Sequence, residues 1–483
     1  MAEAAHPRPA APGRVGLWLF AALLSLYLGT AGGELFTSDG AAMFRTTEAL
    51  VRRGTLAVDL DEGLPQIETG WDGRAYSRYD LGQPVLAIPF YLAGVALGAI
   101  LPYGEPHVVA YLALTTLPQF ATALTGLVFY HLCLTLYADR RAAALLTLLW
   151  GTGTLAWPYS KFYFAEALLT LFLVLACWLL IRAEGRRGPW PMGLAGLALG
   201  GAIIVRAWAA IFTLPFGIYL LVSAAQDERL SWGAVWGALR RGAPLAVGMI
   251  PALIVFLWHN VVRYHHPLLT GYQGQGFTSP FYIGLYGMLF SSGRSVFLYA
   301  PPTLVGLLSL RRFGERFPAV RALIIGAFAT VVIFFSPWWG WHGGWSWGPR
   351  YLVTVMPLLV LPIGIRLISP TRRFLIALGV VWLIALLVSI AGVGVDFNEY
   401  FIAVFRGDYA VEQRLWFYPR ESPLIVHWEY ILSGHPLALV GHRLSSFGLP
   451  ALVDWVTYPG MALVFGLSLT RVASLCLPRL TRR

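Results

Sequence analysis

A chain of 483 residues with 57% hydrophobic and only 12% charged residues carries about half the charge of a soluble globular domain, so a soluble enzyme is excluded and a polytopic membrane protein is expected. The formal charge of +11 does not mark a nucleic-acid surface. Arg140-Arg141, Arg186-Arg187, Arg240-Arg241, Arg311-Arg312, Arg372-Arg373 and Arg482-Arg483 sit in short connections between apolar runs, which is the positive-inside pattern of cytoplasmic loops.

A bilayer core takes about 20 apolar residues per helix. In chain order the apolar runs predict spans near 15–34, 82–101, 107–137, 142–158, 165–182, 192–224, 243–258, 296–310, 322–338, 351–368, 374–394 and 456–477. Trp150, Trp157, Trp208, Trp258, Trp338 and Trp339 fall at the ends of these runs, as in an interfacial aromatic belt. Gly32-Gly33-Glu34 is a poor cleavage site, so the first helix is expected to be retained. With the Arg pairs and both termini inside, residues 34–80, 159–164, 259–295, 338–350 and 395–455 fall outside. Residues 192–224 then cross twice, with Arg206 at the turn. Residues 82–137 must cross an odd number of times, although their hydropathy suggests two passes.

The expected fold is therefore an all-α polytopic bundle with about 12–14 transmembrane segments. Its parts are a membrane module over 1–394, an outer-face region over 395–455, and a last helix with a basic cytoplasmic tail over 456–483. No soluble part is long enough for a separate catalytic domain, so chemistry must be built from outer loops against the bundle. The chain has no Walker or Rossmann glycine pattern, which argues against a nucleotide cofactor. Cys133, Cys177 and Cys476 lie inside apolar runs without CxxC spacing, so neither a disulfide framework nor a zinc cluster is implied. Among 35 basic residues only Lys161 is a lysine, a bias of GC-rich coding that points to a bacterium.

The acid Asp39, in Thr37-Ser38-Asp39-Gly40 just beyond the first span, is the most informative residue. A carboxylate at a membrane edge is costly and marks a functional site by default; the competing reading is a helix cap. Arg78, Asp80, Lys161, Glu166, Arg206, His259, Asn260, Arg263, His265, His266, Arg294, His342 and Arg350 fall on the same face. Arg206, between two short apolar runs, needs an anion or must snorkel.

The order of Ser38-Asp39-Gly40, Tyr79-Asp80-Leu81-Gly82-Gln83-Pro84, Phe164-Ala165-Glu166, His259-Asn260, Pro267-Leu268-Leu269-Thr270-Gly271-Tyr272, Ser291-Ser292-Gly293-Arg294 and Gly343-Gly344-Trp345-Ser346-Trp347-Gly348-Pro349-Arg350-Tyr351-Leu352 resembles the C-type glycosyltransferase superfamily (GT-C). The similar branch is that of the lipid-carrier-dependent enzymes, which includes protein O-mannosyltransferases, the lipid A aminoarabinose transferase and family-39-like members. The resemblance covers about residues 15–395.

What the resemblance implies is inverting transfer of a hexose or pentose from a polyprenyl-phosphate carrier to a hydroxyl of a glycan, lipid or protein acceptor. The expected place is the outer face of a bacterial plasma membrane, with membrane lipids as the surroundings and no nucleic acid involved. Asp39 would be the general base, and Arg206, Lys161, Arg294 and Arg350 would be donors to the departing phosphate. Asp80, Glu166, His259, His265 and His266 would orient the acceptor or, through Asp80 and His265, hold a divalent cation. Trp341, Trp345 and Trp347 would stack on sugar, or belong to the interfacial belt. Where many members have two acids in tandem this chain has only Asp39, leaving Glu48 as a distant substitute. A transporter or flippase of lipid-linked saccharides, or an oligosaccharide ligase or polymerase, remains an alternative.

Overall fold

The computed structural model describes residues 12–61, 63–100, 106–184, 188–225, 231–405, 409–439 and 452–476; Arg186-Arg187 and the tail over 477–483 lie outside them. Helix α1 (Pro12–Gly29) is followed by α2 (Ser38–Arg53), a short antiparallel hairpin of β1 (Ile67–Thr69) and β2 (Ala75–Ser77), and α3 (Gly82–Ile100). Then come α4 (Pro106–Leu114), α5 (Leu117–Tyr137), α6 (Arg140–Gly153), α7 (Ala156–Lys161), α8 (Glu166–Ala183), α9 (Trp190–Val205), α10 (Thr213–Ala225) and α11 (Trp232–Tyr264). The chain continues through α12 (Phe281–Phe290), α13 (Val296–Tyr299), α14 (Pro302–Arg316), α15 (Pro318–Phe335), α16 (Met356–Val360), α17 (Gly364–Leu367) and α18 (Arg372–Gly394). It ends in α19 (Phe397–Phe405), α20 (Tyr409–Phe417), α21 (Pro423–Leu432) and α22 (Leu452–Cys476).

Among the described residues nine segments are long and apolar enough to cross a membrane, and Arg14–Gly29, Trp190–Val205 and Phe281–Phe290 are shorter apolar helices. This is an all-α polytopic membrane protein. The stretch 82–137 holds three helices, broken at Thr115–Thr116, and α5 runs back along α1. Gly16 approaches Leu127 and Tyr130, while Gly126 approaches Leu23. Arg141, just past α5, donates its Nε to the carbonyl of Cys476 at 2.6 Å. Helix α4 is nine residues long and forms one candidate span with α5 over His107–Tyr137, beside Gly82–Ile100, so the stretch gives two candidate spans, as its hydropathy suggests, where the Arg pairs ask for an odd number.

Helix α11 corrects the expected boundaries. Its 33 residues reach about 50 Å at 1.5 Å per residue, well beyond a hydrocarbon core of about 30 Å. Arg240-Arg241 and His259 are therefore helical, although the sequence placed both in loops; the polar flanks extend the helix into water at either end. It packs on α9 through small residues, with Gly196 against the carbonyl of Leu245 and Gly200 against Met249, the close approach that drives helix pairing in lipid. Helices α6, α11 and α18 begin near Arg140-Arg141, Arg240-Arg241 and Arg372-Arg373. Their other ends reach the neighbourhood of Lys161, Arg263 and Val393, so these three basic pairs lie toward the end of the bundle opposite Asp39, Asp80 and Glu166.

The region after α18 folds back over the acid-bearing end. Asn398 donates to the carbonyl of Phe36, the amide of Gly293 donates to the carbonyl of Trp416 at 2.9 Å, and Ser422 donates to that of Ser292 at 2.7 Å.

Candidate active site

A cavity of about 670 Å³ opens at the acid-bearing end, lined by residues from 36 to 398. Its charged wall starts at α2, where Thr37 is in extended conformation and its hydroxyl accepts from the amide of Gly40 at 3.0 Å. Thr37 thus caps the helix, and Asp39 is released from that role. The carboxylate of Asp39 instead accepts from the Tyr79 hydroxyl at 2.5 Å and from Arg350 Nη2 at 3.0 Å. Burial works against its ionisation, but Arg350, Arg206 and the Tyr79 hydroxyl outweigh it and hold the carboxyl below its ordinary value. Asp39 is an anion at neutral pH.

Arg350 is the junction of the site. Its Nε donates to Glu166 Oε1 at 2.7 Å while Nη2 reaches Asp39, so one guanidinium ties the start of α8 to the start of α2. The ring of Phe164 lies 3.8 Å from the guanidinium carbon, a cation–π contact. The turn beneath depends on Gly343, whose φ is +81° and where a Cβ would lie 2.8 Å from Cβ of Arg350. Arg350, expected to bind a donor phosphate, lines the cavity and is held there by two carboxylates. Glu166 is only 2% exposed, and its Oε2 is buried without a partner.

Arg206 caps α9 with extended backbone and precedes a 3₁₀ turn over Ala207–Phe212. It is the predicted turn between two apolar halves. The guanidinium is 3% exposed, lies 4.3 Å over the Tyr79 ring and gives one long bond of 3.4 Å to the Tyr272 hydroxyl. Its Nη2 is buried without a partner, and no carboxylate pairs with it among the described residues. The cavity thus holds a buried cation with donor capacity to spare.

Asp80, on the same wall, accepts from the amide of Ala207 at 2.8 Å, joining the loop after β2 to the Arg206 turn. A Cβ on Gly82 would fall 2.7 Å from the Val205 nitrogen, so only glycine permits this contact. Burial raises the Asp80 carboxyl, opposed by Arg263, the Ala207 amide and Arg206. Arg263, at the end of α11, donates to the carbonyls of Ser77 at 2.8 Å and Tyr79 at 3.2 Å and to Asn260 Oδ1 at 2.9 Å. It holds the Tyr79-Asp80 loop in place.

Asp39, Glu166, Arg206, Asp80, Arg350 and Trp345 line the cavity, and Lys161, Arg294, His259, His265, His266, Trp341 and Trp347 do not. Lys161 is met by the Val393 carbonyl at 2.7 Å and faces the Phe36 ring. Arg294 donates to the carbonyls of Gly344, Ser346 and Gly348, so it shapes the Trp-rich loop from behind. Trp341 is buried against Trp416 and Phe417, and Trp347 against Tyr299 and His427. In their place Trp338 and Trp339 face the cavity with Trp208, Phe277, Phe334 and Phe335.

The histidines do not gather around Asp80. His259 is buried in α11, His265 stacks near Trp71 at the end of that helix, and His266 Nδ1 accepts from the amide of Leu268 at 3.2 Å. Among the described residues no group of three or more His, Cys, Asp or Glu side chains could hold a metal. Of the pair expected to hold a cation, Asp80 lines the cavity and His265 does not. Glu48 pairs with Arg52 at 3.3 Å and does not line the cavity.

Two lining residues, Tyr79 and Tyr272, have no part in the sequence reading, and His342 is placed there on the right face but without a role. The only signal for the two tyrosines is their place in motifs read for the neighbouring charges. His342 Nδ1 accepts from the amide of Gly344 at 3.2 Å, leaving the proton on Nε2. Burial and Arg294 push its pKa well down, so it is a neutral donor.

The chain is similar to several known proteins. The family model for dolichyl-phosphate-mannose-protein mannosyltransferases matches residues 80–265, the segment from Asp80 to the end of α11. No curated protein matches the chain. The crystal structure of ArnT from Cupriavidus metallidurans in the apo state superimposes with a TM-score of 0.51 at 15% identity, covering 95% of this chain and 75% of that one. The same protein bound to undecaprenyl phosphate gives 0.48 at 17% identity, covering 96% and 78%. The archaeal oligosaccharyltransferase AglB from Archaeoglobus fulgidus, with an inhibitory peptide and a dolichol-phosphate, gives 0.38 at 14% identity, covering 94% and 56%.

Proposed function

We propose that this chain, a polytopic membrane protein with the fold of the GT-C glycosyltransferases, transfers a monosaccharide from a polyprenyl-phosphate carrier to an acceptor hydroxyl. The observation that carries this reading is the pairing of an ionised carboxylate, Asp39, with a buried and unpaired guanidinium, Arg206, across one cavity. The family model that matches residues 80–265 is named for dolichyl-phosphate-mannose-protein mannosyltransferases, and a lipid-phosphate sugar of that kind is the ligand chemistry this pairing suits.

Arg206 would bind the phosphate. A guanidinium with free donors stabilises the charge that develops on the departing phosphate oxygen, and Tyr272 stands beside it as a second donor. The prenyl chain would leave along Trp208, Phe277, Phe334 and Phe335, the aromatic side of the cavity. Asp39 would receive the proton of the attacking hydroxyl. Each of its oxygens has one bond in the resting site and a second lone pair for the acceptor. The new bond forms between the acceptor oxygen and the anomeric carbon, and the bond from that carbon to the phosphate oxygen breaks. The proton passes to Asp39 and the carrier departs as its phosphate.

One displacement on one base inverts the anomeric centre. Trp345, Trp338 and Trp339 offer rings to the sugar faces, and His342 Nε2 offers a donor. Because Arg140-Arg141, Arg240-Arg241 and Arg372-Arg373 lie toward the other end of the bundle, the positive-inside rule supports an extracytoplasmic site, and the Arg-rich coding bias supports a bacterial plasma membrane. The test is transfer of radiolabelled sugar from undecaprenyl-phosphate esters by the purified protein in lipid nanodiscs. Acceptor fractions from a cell envelope supply the hydroxyl. Asp39→Asn should eliminate any transfer seen, and transfer by that variant at the wild-type rate would overturn the assignment.

A further inference from the structure

Glu166 is left with an acceptor that the proposed chemistry does not use. Its Oε1 is committed to Arg350 Nε at 2.7 Å, whereas Oε2 is buried and unpartnered on a side chain only 2% exposed. Leaving a buried acceptor unmade costs about 1–3 kcal/mol, and more when it is charged, so a ligand donor is the natural partner for it. Glu166 lines the cavity with Asp39 and Arg206, and one guanidinium holds both carboxylates. The sugar, which must lie between the base and the phosphate cation, therefore passes beside Glu166.

The charges sharpen the identity of that sugar. Arg350 serves two carboxylates, Asp39 and Glu166, and neutralises one. Arg206 would be taken by the phosphate. Arg78, also lining the cavity, is held by Glu68 at 3.0 Å, so the carboxylates of Asp39, Asp80 and Glu166 leave an excess of negative charge on the wall that the sugar faces, and a sugar carboxylate there would meet like charge in a desolvated site.

We propose that Glu166 Oε2 accepts a hydrogen bond from a hydroxyl or ammonium group of the transferred sugar, and that the enzyme takes neutral or cationic sugars and rejects uronic acids. This rests on the glycosyl-transfer reading above. Glu166 is a specificity residue here, acting on the sugar and not on the carrier.

The probes are undecaprenyl phosphate itself and its mannose, arabinose, amino-sugar and glucuronic-acid esters, with binding measured by calorimetry on folded protein in nanodiscs. In Glu166→Gln the amide oxygen keeps the Arg350 bond and the amide nitrogen replaces Oε2, turning an acceptor into a donor. Affinity for bare undecaprenyl phosphate should stay within about twofold of wild type, while the preferred neutral or amino-sugar ester should lose about 10- to 100-fold, the equivalent of one hydrogen bond to a charged group. Equal losses for bare and sugar-bearing carrier, or no loss for either, would overturn the proposal. If Glu166→Gln does not fold, the wild type alone decides: it should bind the glucuronic-acid ester at least about tenfold more weakly than the neutral esters, and equal affinity would overturn it. Failure of the wild type to bind even bare undecaprenyl phosphate would strike at the glycosyl-transfer reading instead.

Discussion

Replacing Arg350 with methionine removes the one cation that joins Asp39 to Glu166 while keeping most of the aliphatic stem. The two ion pairs measure 3.0 and 2.7 Å, and the side chains are 11% exposed for Arg350, 17% for Asp39 and 2% for Glu166, so water cannot replace the guanidinium. Removing one partner of a buried pair costs about 3–5 kcal/mol, and here two carboxylates are stranded together. One of them should then take up a proton. In the wild type the Asp39 carboxyl is held below its ordinary value. Its pairing therefore stabilises the fold above the unfolded carboxyl's pKa, and that contribution is lost as pH falls through the folded value. In Arg350→Met the window moves up, by about 1–3 pH units for a carboxylate losing its Arg neighbour. The assay is twofold: thermal unfolding in detergent between pH 3 and 8, and the acid limb of sugar transfer over about the same range. A variant with the wild-type melting curve and the wild-type acid limb would refute the claim that Arg350 organises the carboxylates.

Asp39→Asn removes the proton acceptor at constant volume and should lower transfer by about 10²- to 10⁴-fold, read in single-turnover experiments with saturating donor. Arg206→Ala should weaken binding of undecaprenyl phosphate more than Arg206→Lys, because lysine keeps the charge and loses only the fork, as calorimetry would show. Lys161→Met should lower the melting temperature while leaving carrier affinity within about twofold, since its ammonium is met by the Val393 carbonyl and one such bond contributes about 1.5–3 kcal/mol. Arg294→Gln should loosen the Trp-rich loop, seen as faster amide exchange over residues 343–348, because it loses bonds to three carbonyls there.

The residues that sequence reasoning found most securely are those whose cost depends on local context alone. Asp39 stands beyond an apolar helix, and Arg206 separates two apolar halves; both are expensive wherever the rest of the chain lies, and both line the cavity. Lys161 and Arg294 looked equally expensive, but backbone carbonyls from Val393 and from residues 344–348 meet them. No local pattern distinguishes a cation awaiting a ligand from one satisfied by distant backbone. The role of Arg350 was hidden for the same reason, since it joins residues 311 and 184 positions away. In the Trp-rich loop, the glycines with positive φ at 343, 344 and 348 break any helical periodicity, so the facing of Trp341, Trp345 and Trp347 could not be read from spacing. Helix α11 was shortened in the reading because its ends carry Arg and His, although a helix that outruns the bilayer keeps polar ends in water.

The most direct measurement is a structure of the protein with a non-hydrolysable undecaprenyl-phosphate sugar bound. The phosphate should lie within hydrogen-bond distance of Arg206, with the anomeric carbon between it and Asp39 and the prenyl chain along Phe277 and Phe334. A phosphate seated away from Arg206, or a sugar placed where Asp39 cannot reach an attacking hydroxyl, would contradict the account.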